Sequence, residues 1–213
     1  AHTAEIKKVA EGFKPKSRTK NFGLRLASRT KMVTISLDGM PVVIGERINP
    51  TGKKLLSQEI RDGKMGIIQK EAISQVGKGA QVLDVNVGVP GTDEAVSMEN
   101  ALLALQRVTD VPVMIDSTDP RVIERALKTF QGKVIINSVN GEEGSLNQIL
   151  PLAKKYGAAI LALALDEKGL PETAGDRLLI IEKIVDRALE FGIPKNDIIA
   201  DCLVFDTVQG IVI

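Results

Sequence analysis

Residues 111–138, VPVMIDSTDPRVIERALKTFQGKVIINS, carry the pattern that decides the fold of this chain. Two apolar runs, Val111–Ile115 and Lys133–Ile136, flank a segment with helical spacing over residues 120–129. Asp119 and Pro120 supply that helix with an N-cap and a first helical residue. Both runs are apolar at successive positions, as expected of strands that are buried on two faces. The stretch therefore predicts a strand–helix–strand unit of a parallel sheet.

The same unit recurs from residue 41 onward. Helical patterns lie near residues 57–78, 93–107, 120–129, 143–156 and 174–191. They alternate with six strand-like runs, which are Pro41–Gly45, Gln81–Val85, Val111–Ile115, Lys133–Ile136, Ala158–Leu165 and Asp197–Leu203. This alternation predicts an α/β fold with a parallel sheet. The first strand is followed by Glu46–Gly52 and not by a glycine-rich dinucleotide fingerprint, so we expect a TIM (β/α)8-type barrel rather than a doubly wound sheet.

Six strands fall short of the eight that close a TIM barrel. We therefore expect about six βα units and a barrel that is incomplete toward the C-terminus of this chain. An open sheet edge favours pairing with another chain. Self-association is accordingly predicted, with Gly210–Ile213 (GIVI) as the candidate pairing segment.

The residues before the barrel have a different composition. The first eleven residues predict a helix that Thr3 caps and Gly12 stops, and the basic residues 13–31 are typical of a linker. Met32–Leu37 and Val42–Ile44 predict a hairpin with its turn at Asp38–Pro41. We therefore divide the chain into residues 1–31, the end of a preceding module plus a basic linker, and residues 32–213, the barrel domain.

The overall composition argues against several classes of partner. The 28 Lys and Arg residues nearly balance the 27 Asp and Glu residues, so nucleic acid is not expected as the main partner. No signal peptide is evident, and no apolar run approaches the ~20 residues that span a bilayer, so no membrane partner is expected. The single cysteine, Cys202, fits a reducing compartment, and we predict a cytoplasmic location. Since His2 and Cys202 are the only soft ligand candidates, no metal is predicted.

Polar side chains follow the predicted strands, at the point where each strand ends. These residues are Glu46, Asp84, Asn86, Asp116, Asn137, Asp166, Glu167 and Asp201. Taken singly, such residues are ordinary caps and turn formers, and Mg²⁺ is an alternative ligand for them. In a barrel they open onto one mouth. Carboxylates and amides without a cationic cluster suit a neutral heterocycle that is rich in N–H donors, such as a 2-amino-4-oxopyrimidine edge.

These strand-end motifs resemble those of the pterin-binding methyltransferases. The matching segments are Ile44–Asn49 (IGERIN), Leu83–Gly88 (LDVNVG), Ile115–Thr118 (IDST), Ile136–Ser138 (INS), Gly169–Pro171 (GLP), Phe191–Pro194 (FGIP) and Asp201. The family comprises the folate module of cobalamin-dependent methionine synthase and the methyltetrahydrofolate:corrinoid/iron–sulfur protein methyltransferase. Residues 6–18 (IKKVAEGFKPKSR) resemble the end of a homocysteine-binding module and its linker, which favours the methionine synthase type.

The resemblance implies a function and a site. Residues matching Asp116, Asn137 and Asp201 hold the pterin ring in the family, and those matching Glu46, Asp84 and Asn86 line the same mouth. The implied reaction transfers the N5-methyl group of methyltetrahydrofolate to cob(I)alamin, as in methionine synthesis from homocysteine. A corrinoid-binding module would supply the cobalamin, and a homocysteine-binding module would lie upstream.

One catalytic group of the family has no counterpart in the sequence. The Asn that assists N5 follows a seventh strand, so it is expected beyond residue 213 and the catalytic residue is unknown here. Three alternatives therefore stay open: a corrinoid/iron–sulfur protein methyltransferase, a dihydropteroate synthase-like enzyme, and a truncated module that binds pterin without turnover.

Overall fold

A computed structural model describes residues 2–13 and 23–203 of the 213-residue chain. Helix α1 (His2–Glu11) buries none of its side chains. A hairpin of β1 (Leu24–Ala27) and β2 (Met32–Ile35) follows. The remaining elements are β3 (Ile44–Ile48), α2 (Lys54–Arg61), α3 (Gly66–Gly77), β4 (Val82–Val85), α4 (Glu94–Val108), β5 (Val113–Asp116), α5 (Pro120–Thr129), β6 (Ile135–Asn140), α6 (Glu143–Tyr156), β7 (Ala159–Leu163), α7 (Ala174–Glu190) and β8 (Ile198–Asp201).

Strands β3 to β8 form one parallel sheet in which each strand pairs with the next along the chain. Sequential order with a helical connection after each strand is the winding of a TIM barrel. The predicted α/β fold with about six βα units is therefore confirmed. Within the described residues, six of the eight barrel strands are present, and β3 and β8 each have one neighbouring strand.

The helix and strand boundaries follow the predicted pattern with local differences. Asp119 caps α5 as predicted, since its Oδ1 accepts a hydrogen bond from the Arg121 backbone N–H at 2.8 Å. The single helix predicted at residues 57–78 is two helices, because Gly63 adopts a φ of 67° in the turn between them. Strand β6 extends beyond its predicted end at Ile136, and the Asn137–Ser138 peptide bond within it is cis.

The parallel sheet buries apolar side chains on both of its faces. Leu83, Ile115 and Ile136 point toward the helices and are fully buried. The opposite face carries a second cluster in which Val82, Met114, Ile135 and Ala159 meet Leu24, Leu26 and Val33 of the hairpin. Because alternate side chains of a strand point to opposite faces, the second cluster lies on the inner face of the barrel. The hairpin therefore covers the amino-terminal end of that inner face.

The hairpin corrects the predicted pairing near the N-terminus. Residues Met32–Ile35 pair with Leu24–Ala27, whereas the prediction paired them with Val42–Ile44. Part of the segment predicted as linker is thus a strand, because Leu24 and Leu26 lie on one face and are buried there. The remaining assignment of residues 1–31 to a preceding module and linker stays a prediction, and residues 14–22 lie outside the described residues.

Two further terminal predictions have different outcomes. Helix α1 begins at His2, so Thr3 lies inside the helix and does not cap it as predicted, whereas Gly12 follows its end as predicted. The segment Gly210–Ile213 lies outside the described residues, and its pairing stays a prediction. In the part of the chain that the structure describes, no helix is long and apolar enough to cross a membrane.

Candidate functional site at the mouth of the barrel

The six predicted site residues share the inner face of the sheet. Each stands two or four positions after an inward-facing apolar residue of its own strand, and those apolar residues are Ile44, Val82, Met114, Ile135 and Ile199. Since strand side chains alternate between faces, all six point inward, above the apolar layer and toward the carboxyl ends of the strands. We call Glu46, Asp84, Asn86, Asp116, Asn137 and Asp201 the mouth residues.

Two hydrogen bonds join carboxylates to amides within the mouth. The Asn86 side chain donates from Nδ2 to Asp116 Oδ2 at 3.0 Å, and the Asn137 side chain donates from Nδ2 to Asp84 Oδ1 at 3.2 Å. An ionised carboxylate can only accept, so each amide must turn its NH₂ group toward its acid. The Asp84 carboxyl group, although it lies in an apolar strand, therefore has a hydrogen-bonding partner.

The second bond crosses a strand. Asp84 lies on β4 and Asn137 on β6, and β5 runs between them. Neighbouring strands are about 4.8 Å apart, so β4 and β6 are separated by roughly 10 Å. Side chains from these two strands can meet on the inner face because the sheet curves toward that side.

Burial changes the acidity of both carboxyl groups. Asp84 is only 6% exposed, and its pKa is raised to about 7, mainly by burial and further by the charge of Asp116, against the lowering effect of the Asn137 hydrogen bond. Burial also raises the pKa of Asp116, while the hydrogen bond from Asn86 opposes that rise. The mouth is therefore a place where negative charge is poorly solvated and where N–H donors of a ligand would be favourable.

The two outer mouth residues have other surroundings. Asp201 is half-buried at the end of β8, and its Oδ1 accepts a hydrogen bond from the Leu203 backbone N–H at 2.8 Å. Glu46 is exposed and is close enough to Asp84 for its charge to raise the pKa of that group. The adjacent Arg47 turns away from the mouth, because its guanidinium forms an ion pair with Glu71 of α3 at 2.8 Å.

The polar residues after β7 form hydrogen bonds with nearby backbone. Asp166 Oδ1 accepts a hydrogen bond from the Lys168 backbone N–H at 2.9 Å. Glu167 Oε1 accepts a hydrogen bond from the Glu143 backbone N–H at 3.0 Å. Both residues stabilise local backbone, as Asp201 does, and their place among the mouth groups stays a prediction. The inward positions within β7 itself are Leu161, which pairs with Asn137, and Leu163, which pairs with Asp201. Strand alternation could have identified these two leucines as an apolar wall of the mouth.

Of two further polar residues next to the mouth, Ser117 was recognised at a polar strand end, whereas Glu94 was missed from the sequence. The buried Ser117 donates from Oγ to Glu94 Oε1 at 2.6 Å, and its backbone N–H donates to the Asn137 carbonyl at 3.1 Å. These bonds tie the start of α4 to the ends of β5 and β6, beside Asp116. Ser117 lies within a matching motif, but only the three-dimensional arrangement brings Glu94 to it.

In the described residues, no group of three or more His, Cys, Asp or Glu side chains is arranged to hold a metal ion. Cys202 is exposed at the end of β8. The expectation that this chain carries no metal of its own stays a prediction.

Comparison with known proteins identifies similar sequences and folds. The family described as pterin binding enzyme matches residues 45–210. Methionine synthase from Mycobacterium tuberculosis (strain ATCC 25618 / H37Rv) is 28% identical over 216 residues, which cover 99% of this chain and 18% of that protein. Methionine synthase from Mycobacterium leprae (strain TN) is 30% identical over 175 residues, or 79% of this chain and 14% of that protein. This chain thus spans less than a fifth of the length of these relatives.

The fold also matches a solved structure. The 7,8-dihydropteroate synthase from Vibrio fischeri ES114 superposes with a TM-score of 0.58 and 17% sequence identity, covering 87% of this chain and 68% of that one. At this identity the likeness concerns the fold alone. This likeness agrees with the barrel winding that the strand order indicates.

Proposed function

Because this chain belongs to the family of pterin binding enzymes, we propose that its mouth binds methyltetrahydrofolate and presents the N5-methyl group for transfer to cob(I)alamin. The observation that carries the proposal is the inner-face cluster in which Asp84 and Asp116 are each held by an amide. The choice of methyl transfer within the family rests on the methionine synthase relatives, one of which matches 99% of this chain.

The free acceptor atoms of the mouth suit a pterin. Since Asn137 directs its NH₂ group at Asp84, its Oδ1 is left for a donor of the ligand. Asp116 is engaged by Asn86 through Oδ2, which leaves Oδ1 to accept from a ring N–H or from the 2-amino group. Among the described residues, Asp201 accepts one hydrogen bond, from a backbone N–H to Oδ1, and it would bind the same edge. Charge-assisted hydrogen bonds of this kind are stronger than neutral ones.

The ring faces need apolar contact as well as polar edges. Leu161 and Leu163 lie on the inner face beside Asn137 and Asp201. They would pack against one face of the flat ring system while the acids and the amide bind its edge. Sites that combine apolar walls with a few placed polar groups are typical of small-molecule binding.

In the proposed reaction, the bond between N5 and its methyl carbon breaks and leaves its electron pair on N5, which takes up a proton. The methyl group goes to cob(I)alamin, which another module supplies. The residues of this chain would hold the pterin so that the methyl group faces outward from the mouth. Orientation of this kind contributes to the rate by reducing the entropy lost on reaching the transition state.

A second candidate is a dihydropteroate synthase-like reaction, which would join a pterin carrying a diphosphate leaving group to an aromatic amine. The likeness to the Vibrio fischeri enzyme favours it at the level of fold. The identities of 28% and 30% to methionine synthases favour methyl transfer. The two reactions use different co-substrates, so one preparation of protein can test both.

The test is calorimetric titration of the 213-residue chain with methyltetrahydrofolate, followed by two activity assays. We expect saturable binding and demethylation of the ligand when cob(I)alamin is added. Binding without demethylation would support the module that binds pterin without turnover. Condensation of a pterin diphosphate with p-aminobenzoate would support the second candidate, and absence of binding at millimolar ligand would overturn both.

A further inference from the structure

Strand β3 contains an irregularity at the mouth. Ile44 and Gly45 pair with Val82 and Leu83, but the next pairing joins Ile48 to Val85, so β3 has one residue more than β4 over this interval. The extra residue falls at Glu46 and Arg47. Such bulges interrupt the ladder and redirect a side chain, and they are frequent next to active sites.

A glutamine of α3 contacts the bulge directly. The Gln75 side chain accepts a hydrogen bond from the Arg47 backbone N–H at 2.9 Å through Oε1. Gln75 is only 6% exposed although it is polar. A buried amide needs partners, and the Arg47 N–H supplies one of them. Among the described residues, its Nε2 has none, so the bond to the bulge is the contact that accounts for its place.

Gly45 makes the close approach of Gln75 feasible. A Cβ atom added at Gly45 would lie 2.5 Å from Gln75 Oε1 and 3.2 Å from the Ala80 Cβ. Neither distance is compatible with ordinary packing. The glycine therefore allows the amide oxygen to reach the backbone of β3. One turn earlier on α3, Glu71 binds the Arg47 guanidinium, so α3 contacts both the backbone and the side chain of Arg47.

We propose that Gln75 is a positioning residue, which holds the bulge of β3 so that the Glu46 carboxylate faces Asp84 in the mouth. With the bulge held, Arg47 and Ile48 both lie on the helix side, and Glu46 stays on the inner face. Without that contact, Arg47 N–H loses its acceptor and the bulge can relax toward regular pairing, which would move Glu46.

The consequence for Asp84 can be observed without a ligand. The groups that face Asp84 are Glu46 from β3, Asp116 from β5 and Asn137 from β6, and the charges of Glu46 and Asp116 both raise the pKa of Asp84. Moving Glu46 away should therefore lower that pKa. The relevance of Glu46 to pterin binding rests on the proposed function, whereas its positioning by Gln75 does not.

The experiment is a pH titration of the Asp84 carboxyl carbon by NMR in the ligand-free 213-residue protein. Glu46→Gln removes the charge of Glu46 and should lower the pKa of Asp84, and the size of this shift is the reference for the other variants. Gln75→Met removes the acceptor at similar length, and Gly45→Ala displaces the amide from the other side, so both should reproduce the Glu46→Gln shift. Gln75→Glu keeps an acceptor oxygen but adds a negative charge, so the Asp84 midpoint in this variant should not fall below the wild-type value. Gln69→Met is the control on the same helix, because Gln69 bonds to the Ala104 carbonyl at 3.2 Å, and it should leave the midpoint unchanged.

A double substitution separates positioning from a general loss of stability. If Gln75 acts through Glu46, then Glu46→Gln combined with Gln75→Met should shift the midpoint no further than Glu46→Gln alone. Additive shifts, or a wild-type midpoint in both Gln75→Met and Gly45→Ala, would overturn the proposal. Because no pterin is present, failure of this test is distinguishable from failure of the proposed function.

Discussion

The carboxyl groups of Asp84 and Asp116 occupy surroundings that disfavour their charge. Burial of an ionised group costs several kcal/mol unless hydrogen bonds compensate for it. Each acid receives one amide donor, and burial nevertheless raises both pKa values. Carboxyl groups held in this way destabilise the fold at neutral pH, and the proposed pterin site would offer them N–H donors.

The first prediction concerns the two residues that carry the proposed pterin contacts. Asp116→Ala and Asn137→Ala should each weaken methyltetrahydrofolate binding by roughly ten- to hundredfold, since one lost charge-assisted hydrogen bond costs about 1.5–3 kcal/mol. The free energy of unfolding should change little in Asp116→Ala, whereas Asn137→Ala also removes the amide donor of the buried Asp84 and should lower it by about 1–3 kcal/mol. Isothermal titration measures the affinity, and Asp166→Ala is the control because that aspartate accepts from backbone outside the mouth. Equal affinities in all four proteins would mean that Asp116 and Asn137 act only as local structural residues.

The second prediction concerns pH. The folded pKa of Asp84 is about 7 and its ordinary value is 3.8, so the folded protein binds more protons than the unfolded chain between these values. Stability should therefore fall as the pH rises from about 4 to about 7, by up to a few kcal/mol. Asp84→Asn should flatten this dependence and be the more stable protein at pH 8. Urea denaturation at pH 5 and pH 8 measures it, and an unchanged slope in the variant would contradict the assignment. In Asp84→Asn, stability should still fall slightly as the pH rises, because burial also raises the pKa of Asp116.

At this scale the sequence identified the acids and amides but not their pairing. Asp84 and Asn86 lie on one strand face by simple alternation, and Asp116 and Asn137 lie at equivalent ends of later strands. The hydrogen bond between Asp84 and Asn137 depends on the curvature of the sheet across β5. The local sequence pattern holds no information on that curvature. The role of Glu94 likewise depends on where α4 begins relative to Ser117.

Among the secondary structure elements, the β1–β2 hairpin differs most from the prediction, since part of it was assigned to a linker and β2 was paired with another segment. Leu24 and Leu26 alternate with Arg25 within a basic, proline-containing segment, and the composition favoured a linker. Their side chains are buried against Val82, Met114 and Ile135 of the inner face. Four residues of alternation are a short signal, and only the tertiary contact shows that they form a strand of the barrel domain.

The third prediction tests this packing. Leu26 is fully buried, so Leu26→Ala should lower the free energy of unfolding by roughly 2–5 kcal/mol, as large-to-small substitutions in cores do. Leu37→Ala is the matched control, because Leu37 follows the hairpin and is fully exposed. Urea denaturation of both variants provides the measurement. A loss below about 0.5 kcal/mol for Leu26→Ala would show that the hairpin is not part of the core.

On the scale of the whole molecule, the alternation of strand and helix patterns along the chain was sufficient to predict the architecture. Apolar runs at regular intervals, buried on both faces, leave few alternatives to a parallel sheet. The segment Glu46–Gly52, which replaces a glycine-rich fingerprint after the first strand, distinguished the barrel from a doubly wound fold. Details that depend on one residue, such as the bulge in β3 and the break between α2 and α3, were not predictable, because each arises from a contact or a single glycine conformation.

The fourth prediction concerns the edges of the sheet. Within the described residues, β3 and β8 each have one free edge, and Leu178 and Leu179 of α7 are more than half exposed. Unpaired strand edges favour association, so the 213-residue chain should self-associate at micromolar concentration. Ala200→Lys places a charge on exposed β8 and should reduce the association. Light scattering at several concentrations tests both proteins, and a monomer of the unaltered chain throughout would contradict the prediction.

A crystal structure of the 213-residue chain with bound methyltetrahydrofolate would test the central claim most directly. We predict that the pyrimidine edge lies on the inner face, with its N–H groups within about 2.6–3.2 Å of the side-chain oxygens of Asp116 and Asn137. The N5-methyl group should face out of the mouth. A pterin bound elsewhere on the chain, or a mouth that stays empty at saturating ligand, would contradict the account.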